Sequence, residues 1–191
     1  MKLYCATTNP GKLREFQVSA DPEIETLPGV AEIAAPEETG ATFEENAVLK
    51  AVYYSRFADG LVFADDSGLV VDALGGAPGV HSARYAGEGA DSQANNALLL
   101  AKMRGQRERS CRFVCVVALA RGGALVRTFE GQVEGQLLEE GRGEGGFGYD
   151  PLFYFPAYGC TLAEVDAARK LDVSHRGKAF AGLLAYLRRE S

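Results

Sequence analysis

Two adjacent carboxylates, Asp65 and Asp66, lead Ser67 and Gly68 directly after the apolar run Leu61-Val62-Phe63-Ala64. A short apolar run bounded by charge and glycine reads as an interior strand. In open α/β sheets, ligands gather beyond the carboxyl ends of strands. Acidic oxygens at such a rim suit a hard divalent cation and metal-assisted chemistry. Neighbouring strand residues point to opposite faces, so one carboxylate is expected to bind while the other braces the loop. Asp66, nearer the loop, is the predicted ligand. The competing reading is a plain turn, which Asp, Ser and Gly all favour.

A second constellation lies near the amino terminus, where Thr7-Thr8-Asn9-Pro10-Gly11 precedes Lys12 and a helical pattern. A helix start offers free N–H groups and a positive dipole end to a phosphate, and Lys12 adds a full charge. It is not a Walker A loop, because the first glycine is missing and Leu13 stands where Ser or Thr would hold magnesium. An ordinary Asn-Pro-Gly turn with a solvated lysine explains the same residues. Gly143-Glu144-Gly145-Gly146-Phe147-Gly148 formally matches a dinucleotide-binding glycine pattern, yet Tyr149-Asp150-Pro151 follows instead of a helix. That excludes a nicotinamide or flavin reading. The glycines either let backbone approach a flat ligand on which Phe147 or Tyr149 stacks, or form a surface hairpin. A serine hydrolase built on Ser67 lacks the nucleophile elbow and has only His81 and His175 to draw on. His175 and Arg176 are exposed donors for a ligand oxygen or plain first-turn residues. Glu37 and Glu38 look like a solvated pair unless the fold brings one beside Asp66.

The elements that must position these groups alternate. A strand through Ala6 leads to a helix carrying Leu13, Phe16, Gln17 and Ala20. Thr42 and Glu45 have capping-box spacing, opening a helix with Phe43, Ala47, Ala51 and Tyr54 inside and Asn46 and Lys50 on a neighbouring face. Leu69 to Ala73 reads as a second β run, and Gly75 to Gly79 as loop. A helix is predicted over Asp91 to Arg104, stopped by Gly105. Cys111 to Ala120 and Leu125 to Val133 flank Gly122-Gly123 as a hairpin, which makes the sheet mixed. A last helix from Ser174 aligns Ala179, Phe180, Leu183, Leu184 and Leu187.

With 191 residues, 47% of them hydrophobic, the chain can bury a substantial core, and residues 1–191 read as one domain. The net charge of −6 argues against a nucleic-acid polymer as main partner, so any phosphate site must be local. The cysteines Cys5, Cys111, Cys115 and Cys160 lack zinc-site spacing and read as reduced core residues. No apolar run approaches a membrane span, so no membrane partner and a cytoplasmic location are the expectations.

Read in order, these motifs resemble the Ham1 family, also called the inosine triphosphate or non-canonical purine nucleoside triphosphate pyrophosphatases. The likeness runs from Ala6 to Lys12 through Glu37-Glu38-Thr39-Gly40, Thr42 to Ala47, Leu49-Lys50-Ala51 and the Asp65-Asp66 motif. It continues with Leu74 to Gly79, Ser82-Ala83-Arg84-Tyr85, Gly145 to Pro151 and Ser174-His175-Arg176-Gly177. The resemblance implies an α/β fold with a long mixed twisted sheet, flanking helices and two lobes around a central nucleotide cleft, as a homodimer. It implies magnesium-dependent hydrolysis of ITP, dITP and XTP to monophosphate and pyrophosphate. Carried over, Thr7, Thr8, Asn9, Pro10, Gly11, Lys12 and Lys50 would hold triphosphate. Glu38 and Asp66 would organise Mg2+, with Glu37 the alternative to Glu38, and Asp66 would accept the water's proton. Ser67 would touch substrate, while Phe147, Gly148, Tyr149, Asp150, Lys170, His175 and Arg176 would surround base and sugar. Thr8 departs from the family's usual glycine, and a side chain there is expected to alter the loop or crowd phosphate. A pyrophosphatase for modified pyrimidine or methylated nucleotides and a non-hydrolysing nucleotide sensor are the other readings.

Overall fold

The computed structural model describes residues 2–18 and 24–190. Ala20, assigned above to the first helix, lies outside the described residues. In chain order the elements are β1 (Leu3–Cys5), α1 (Pro10–Val18), β2 (Ile24–Thr26), α2 (Phe43–Tyr54), β3 (Leu61–Val71) and α3 (Ser92–Lys102). They continue with β4 (Ser110–Arg121), β5 (Ala124–Leu137), β6 (Phe153–Phe155), β7 (Cys160–Thr161), α4 (Ala167–Val173) and α5 (His175–Glu190). The strands form one mixed sheet in the order β2-β1-β3-β4-β5-β6-β7. β1 runs parallel to β2 and β3, and the remaining pairings are antiparallel.

The 3.6-residue and two-residue periodicities of helix and strand build this architecture. On one face, Phe16 of α1 and Phe180, Leu183 and Leu187 of α5 pack on Phe63, Cys115 and Val117. The rings of Phe16, Phe63 and Phe180 lie 5.0–5.5 Å apart. On the other face, Ala47, Ala51 and Tyr54 of α2 cover Tyr4, Val62, Ala64, Val116 and Ala118. A third core, with Leu69, Leu99, Met103, Phe113, Leu152 and Phe153, occupies the opposite end of the long strands. The capping box forms as expected, with Thr42 accepting from the Glu45 N–H and Glu45 reaching back. Cys5, Cys111 and Cys115 are buried free thiols and Cys160 is half-buried. No helix among the described residues is long and apolar enough to cross a membrane.

One expectation is overturned. Asp65-Asp66-Ser67-Gly68 does not end a strand; it lies inside β3, which runs unbroken to Val71 and takes in the separately predicted Leu69 run. β4 pairs with it from Val62↔Ala120 to Val71↔Cys111, and this ladder overrides the local turn preference of Asp, Ser and Gly. The strand that ends here is β1, whose last partner is Cys5↔Phe63. Helix α3 also stops earlier than predicted, at Lys102, and β2, β6, β7 and α4 have no counterpart in the sequence reading. These four are short, and a few residues carry too little periodicity to be recognised.

Candidate active site

Because β1 stops at Cys5, one edge of β3 is left open at Asp65, Asp66 and Ser67. Farther along that edge, Leu69 N–H donates to Ser82 Oγ and Val71 N–H to Ala77 O. Gly68 permits this covering, since a Cβ there would lie 2.4 Å from Ser82 Oγ and 2.5 Å from Gly79 O. The interruption in the sheet lets side chains from both of its faces reach one cavity of about 640 Å3. That volume lies in the range of small-molecule sites.

Strand alternation then separates the two aspartates. Asp65 shares its face with Cys115, whose thiol lies 3.8 Å away, and its carboxylate is 2.9 Å from Lys12 Nζ and 3.5 Å from Arg176 Nη2. Burial works against ionisation, but Lys12, Arg176 and Lys50 outweigh it and hold the Asp65 carboxyl well below the usual range. Asp66 faces α2, where Lys50 Nζ lies 2.9 Å from Oδ1 and Asn46 Nδ2 donates to Oδ2 at 3.4 Å. Here burial prevails over Lys50, and the Asp66 carboxyl is raised above its ordinary value. Of the two, Asp66 is the more basic and Asp65 the fixed anion.

Glu38 comes from the loop before α2. Lys50 Nζ sits 3.0 Å from Glu38 Oε1 and 2.9 Å from Asp66, so the two carboxylates converge on one positive charge. Glu38 lines the cavity, which favours it over Glu37 as the inward carboxylate. Buried Asn46 seats this loop, accepting from Gly40 N–H at 2.8 Å while also holding Asp66. Among the described residues, no three His, Cys, Asp or Glu side chains converge on a possible metal position. A two-carboxylate set fits magnesium, which takes one or two carboxylates and completes its shell with water and phosphate oxygens.

The loop before α1 differs from its expected form. Helix α1 begins at Pro10, and Asn9 Oδ1 accepts from Gly11 N–H at 2.9 Å and Lys12 N–H at 3.1 Å. Those first-turn amides are therefore occupied by a cap, and the cationic contribution there is Lys12 itself. Thr8 is exposed, and no described non-glycine residue has positive φ, so the loop places no demand on a glycine at that position. Gly11 is needed instead: a Cβ there would meet the Phe147 ring at 2.8 Å.

At the other end of the cavity, Ser174 caps α5 by accepting from Gly177 N–H at 3.0 Å. Gly177 allows the α4–α5 corner to close, since its Cβ would lie 1.8 Å from Leu171 O. The corner aims Lys170 and Arg176 at one buried carboxylate, Glu15 of α1. Lys170 Nζ is 2.5 Å from both Glu15 and Asp150, and Arg176 pairs with Glu15 while donating to Ser67 Oγ at 2.7 Å. Burial opposes ionisation of Glu15, yet Arg176 and Lys170 keep its carboxyl below the ordinary value. The sequence reading missed Glu15; its i, i+3 spacing from Lys12 on a helix was the available signal.

His175 and Arg176 are buried, not exposed as anticipated, at 4% and 1% of their surface. His175 stacks on Phe113, while His175 Nδ1 and Arg176 Nε have no hydrogen-bond partner among the described residues. Phe147, half-buried, lies beneath the Lys170 and Arg176 charges at 4.8 and 5.5 Å. Tyr149 is a core residue whose hydroxyl donates to Ser82 O at 2.7 Å, which leaves Phe147 as the aromatic free to stack. The cavity thus gathers Thr7, Thr8, Asn9, Lys12, Glu38, Lys50, Asp66, Ser67, Phe147 to Asp150, Lys170, His175 and Arg176. Pro10 and Gly11 stand behind this lining and shape the loop.

The Ham1 family model matches residues 3–186. The chain belongs to the Ham1 family. It is 52% identical to the dITP/XTP pyrophosphatase of Acidobacterium capsulatum over 98% of each chain. Against the dITP/XTP pyrophosphatase of Desulforamulus reducens it is 49% identical over 99% of this chain and 96% of that one. The Ham1 protein of Staphylococcus aureus superimposes with a TM-score of 0.89 at 38% identity, each chain covered in full. The mixed sheet flanked by helices is therefore the Ham1 fold.

Proposed function

We propose that residues 1–191 act as one magnesium-dependent pyrophosphatase domain that cleaves ITP, dITP and XTP to the monophosphate and pyrophosphate. The carrying observation is that a single cavity joins the Glu38–Asp66 carboxylates, the Lys12 and Lys50 ammonium groups and the Phe147–Lys170–Arg176 cluster. Carboxylates alone would repel a triphosphate, and cations alone would bind it without activating water.

In this reading Lys12 and Lys50 hold phosphate oxygens and offset their charge. Asp66 takes the proton of a water that attacks the α-phosphorus; the bond to the β-phosphate bridging oxygen breaks and pyrophosphate leaves. Magnesium, held by Glu38 and Asp66, would supply further charge neutralisation on the phosphates. Asp65 keeps Lys12 and Arg176 in place without taking the proton. Phe147 stacks on the base, and the partnerless Arg176 Nε and His175 Nδ1 are the groups left to meet a purine edge. Hypoxanthine and xanthine present an acceptor oxygen at C6 where adenine presents a donor. A donor left facing a donor costs about 1–3 kcal/mol, roughly ten- to a hundredfold in preference.

Pyrophosphate release from ITP, dITP, XTP, ATP, GTP, dUTP and methylated nucleotides, with and without magnesium, tests the proposal. Inosine and xanthosine substrates should exceed ATP by about tenfold or more, with turnover lost on chelation. Equal turnover across the panel would refute the specificity. Preference for dUTP or methylated nucleotides would favour the alternative pyrophosphatase, and binding without product would favour the sensor. A homodimer and a cytoplasmic location complete the proposal, the first testable by sedimentation.

A further inference from the structure

Arg84 occupies the cavity wall next to Glu38, in a position that neither the core nor the base-end cluster requires. It closes the 3-10 segment Gly79–Arg84, and buried polar groups fasten that segment on both sides. Ser82 Oγ accepts from Leu69 N–H at 2.9 Å and donates to Gly79 O at 2.7 Å, while Tyr149 donates to Ser82 O. Beyond Arg84, buried Asn95 accepts from Ala86 N–H at 2.8 Å and donates to Ala83 O at 3.2 Å. Such anchoring sets the backbone under Arg84 firmly.

Its guanidinium, by contrast, is weakly committed. Nη1 lies 3.9 Å from Glu38 Oε2 and Nε 3.5 Å from Glu88 Oε1, both at or beyond the limit of a good hydrogen bond. Glu88 is 89% exposed, so that pair contributes little. A rigidly based, partly exposed arginine with loose partners suits a multiply charged oxyanion, two of whose oxygens its planar fork can meet at once.

The order of groups along the cavity says which one. From Arg176 and Ser67 at the base end, contacts pass to the adjacent Asp65 and Asp66, then to Lys50, Glu38, Arg84 and finally solvent at Glu88. With the base near Phe147 and the α-phosphorus near Asp66, the β- and γ-phosphates extend toward Lys50 and Arg84. We propose that Arg84 binds the pyrophosphate leaving group. Glu38, drawn to a metal, would release Arg84 for this contact. The assignment rests on the pyrophosphatase reading above.

Calorimetric titration of pyrophosphate and of IMP, each with magnesium, into the wild-type protein and the Arg84→Ala and Arg84→Lys variants tests it. Arg84→Ala should weaken pyrophosphate by roughly tenfold, about one charged hydrogen bond, and leave IMP affinity unchanged. Retained IMP binding also reports an intact cavity. Arg84→Lys should recover part of the loss, since it keeps charge but not the bidentate fork. A loss for pyrophosphate no greater than that for IMP, or no pyrophosphate binding to the wild type, overturns the assignment. Failure of the wild type to hydrolyse ITP would instead overturn the enzymatic reading, while Arg84-dependent pyrophosphate binding would leave this residue's role standing.

Discussion

Asp65 and Asp66 are chemically identical neighbours that the structure makes unlike. Asp65 is ringed by Lys12, Arg176 and Ser67, which outweigh its deeper burial and suppress its proton affinity; Asp66 is ion-paired to Lys50, which does not offset burial, and its affinity rises. Replacing Asp66 by Asn should reduce kcat for ITP by about a hundredfold or more, the scale of a lost general base. Its melting temperature should stay near that of the wild type, because no core packing is removed. Substantial retained turnover would reject the role. Glu15 acts one step removed, holding Lys170 and Arg176 from α1. Glu15→Gln should loosen both cations and lower the ITP-to-ATP ratio of kcat/KM more than it lowers kcat. A change in stability with an unaltered ratio would assign Glu15 a merely structural part.

At the scale of elements, the approach of α5 to β5 decides where His175 and Arg176 stand. Gly131 makes that approach possible: a Cβ there would lie 2.2 Å from His175 O and 2.6 Å from Ala179 N. These are backbone atoms and cannot swing aside. Gly131→Ala should therefore cost about 1–3 kcal/mol and lower the melting temperature by several degrees, with ITP turnover falling alongside. Undiminished stability would contradict the packing account. At α2, Thr42→Ala removes a cap and should cost about 1 kcal/mol, measurable by denaturant titration. Turnover at low temperature should survive, since Lys50 lies well inside the helix and Asn46 keeps its side-chain bonds to Gly40 and Asp66.

For the whole molecule, pH acts through His175. Burial, then the Arg176 and Lys170 charges, push its pKa well below 6.5, so the folded protein keeps it neutral. The unfolded chain takes a proton near pH 6.5 and the folded chain does not, so this residue's stabilising contribution is complete above that pH. It diminishes as pH falls below it, by up to about 1.4 kcal/mol per unit. The difference in unfolding free energy between wild type and His175→Phe, followed from pH 7.5 to 5.5, should change with that sign. A difference independent of pH would show that His175 is not held neutral.

The capping box at Thr42, the hairpin at Gly122-Gly123 and the stripe from Ala179 to Leu187 were legible in the sequence because each depends on residues a few positions apart. So were the ordered motifs that bring Lys12, Lys50 and Asp66 into one family pattern. The cavity itself was not legible. Local preference set Asp-Asp-Ser-Gly at a strand end or in a turn, whereas ten residue pairs with β4 carry it through as strand, and the site opens because β1 stops short beside it. The burial of Arg176 against Glu15 joins residues 161 positions apart, a separation across which no periodicity operates. Composition and short-range spacing thus determined which groups were available and which elements would bear them. Tertiary pairing alone decided where the sheet is interrupted, which carboxylate gains basicity and which cations face one another, because desolvation and Coulomb energy depend on distances the chain acquires only once packed.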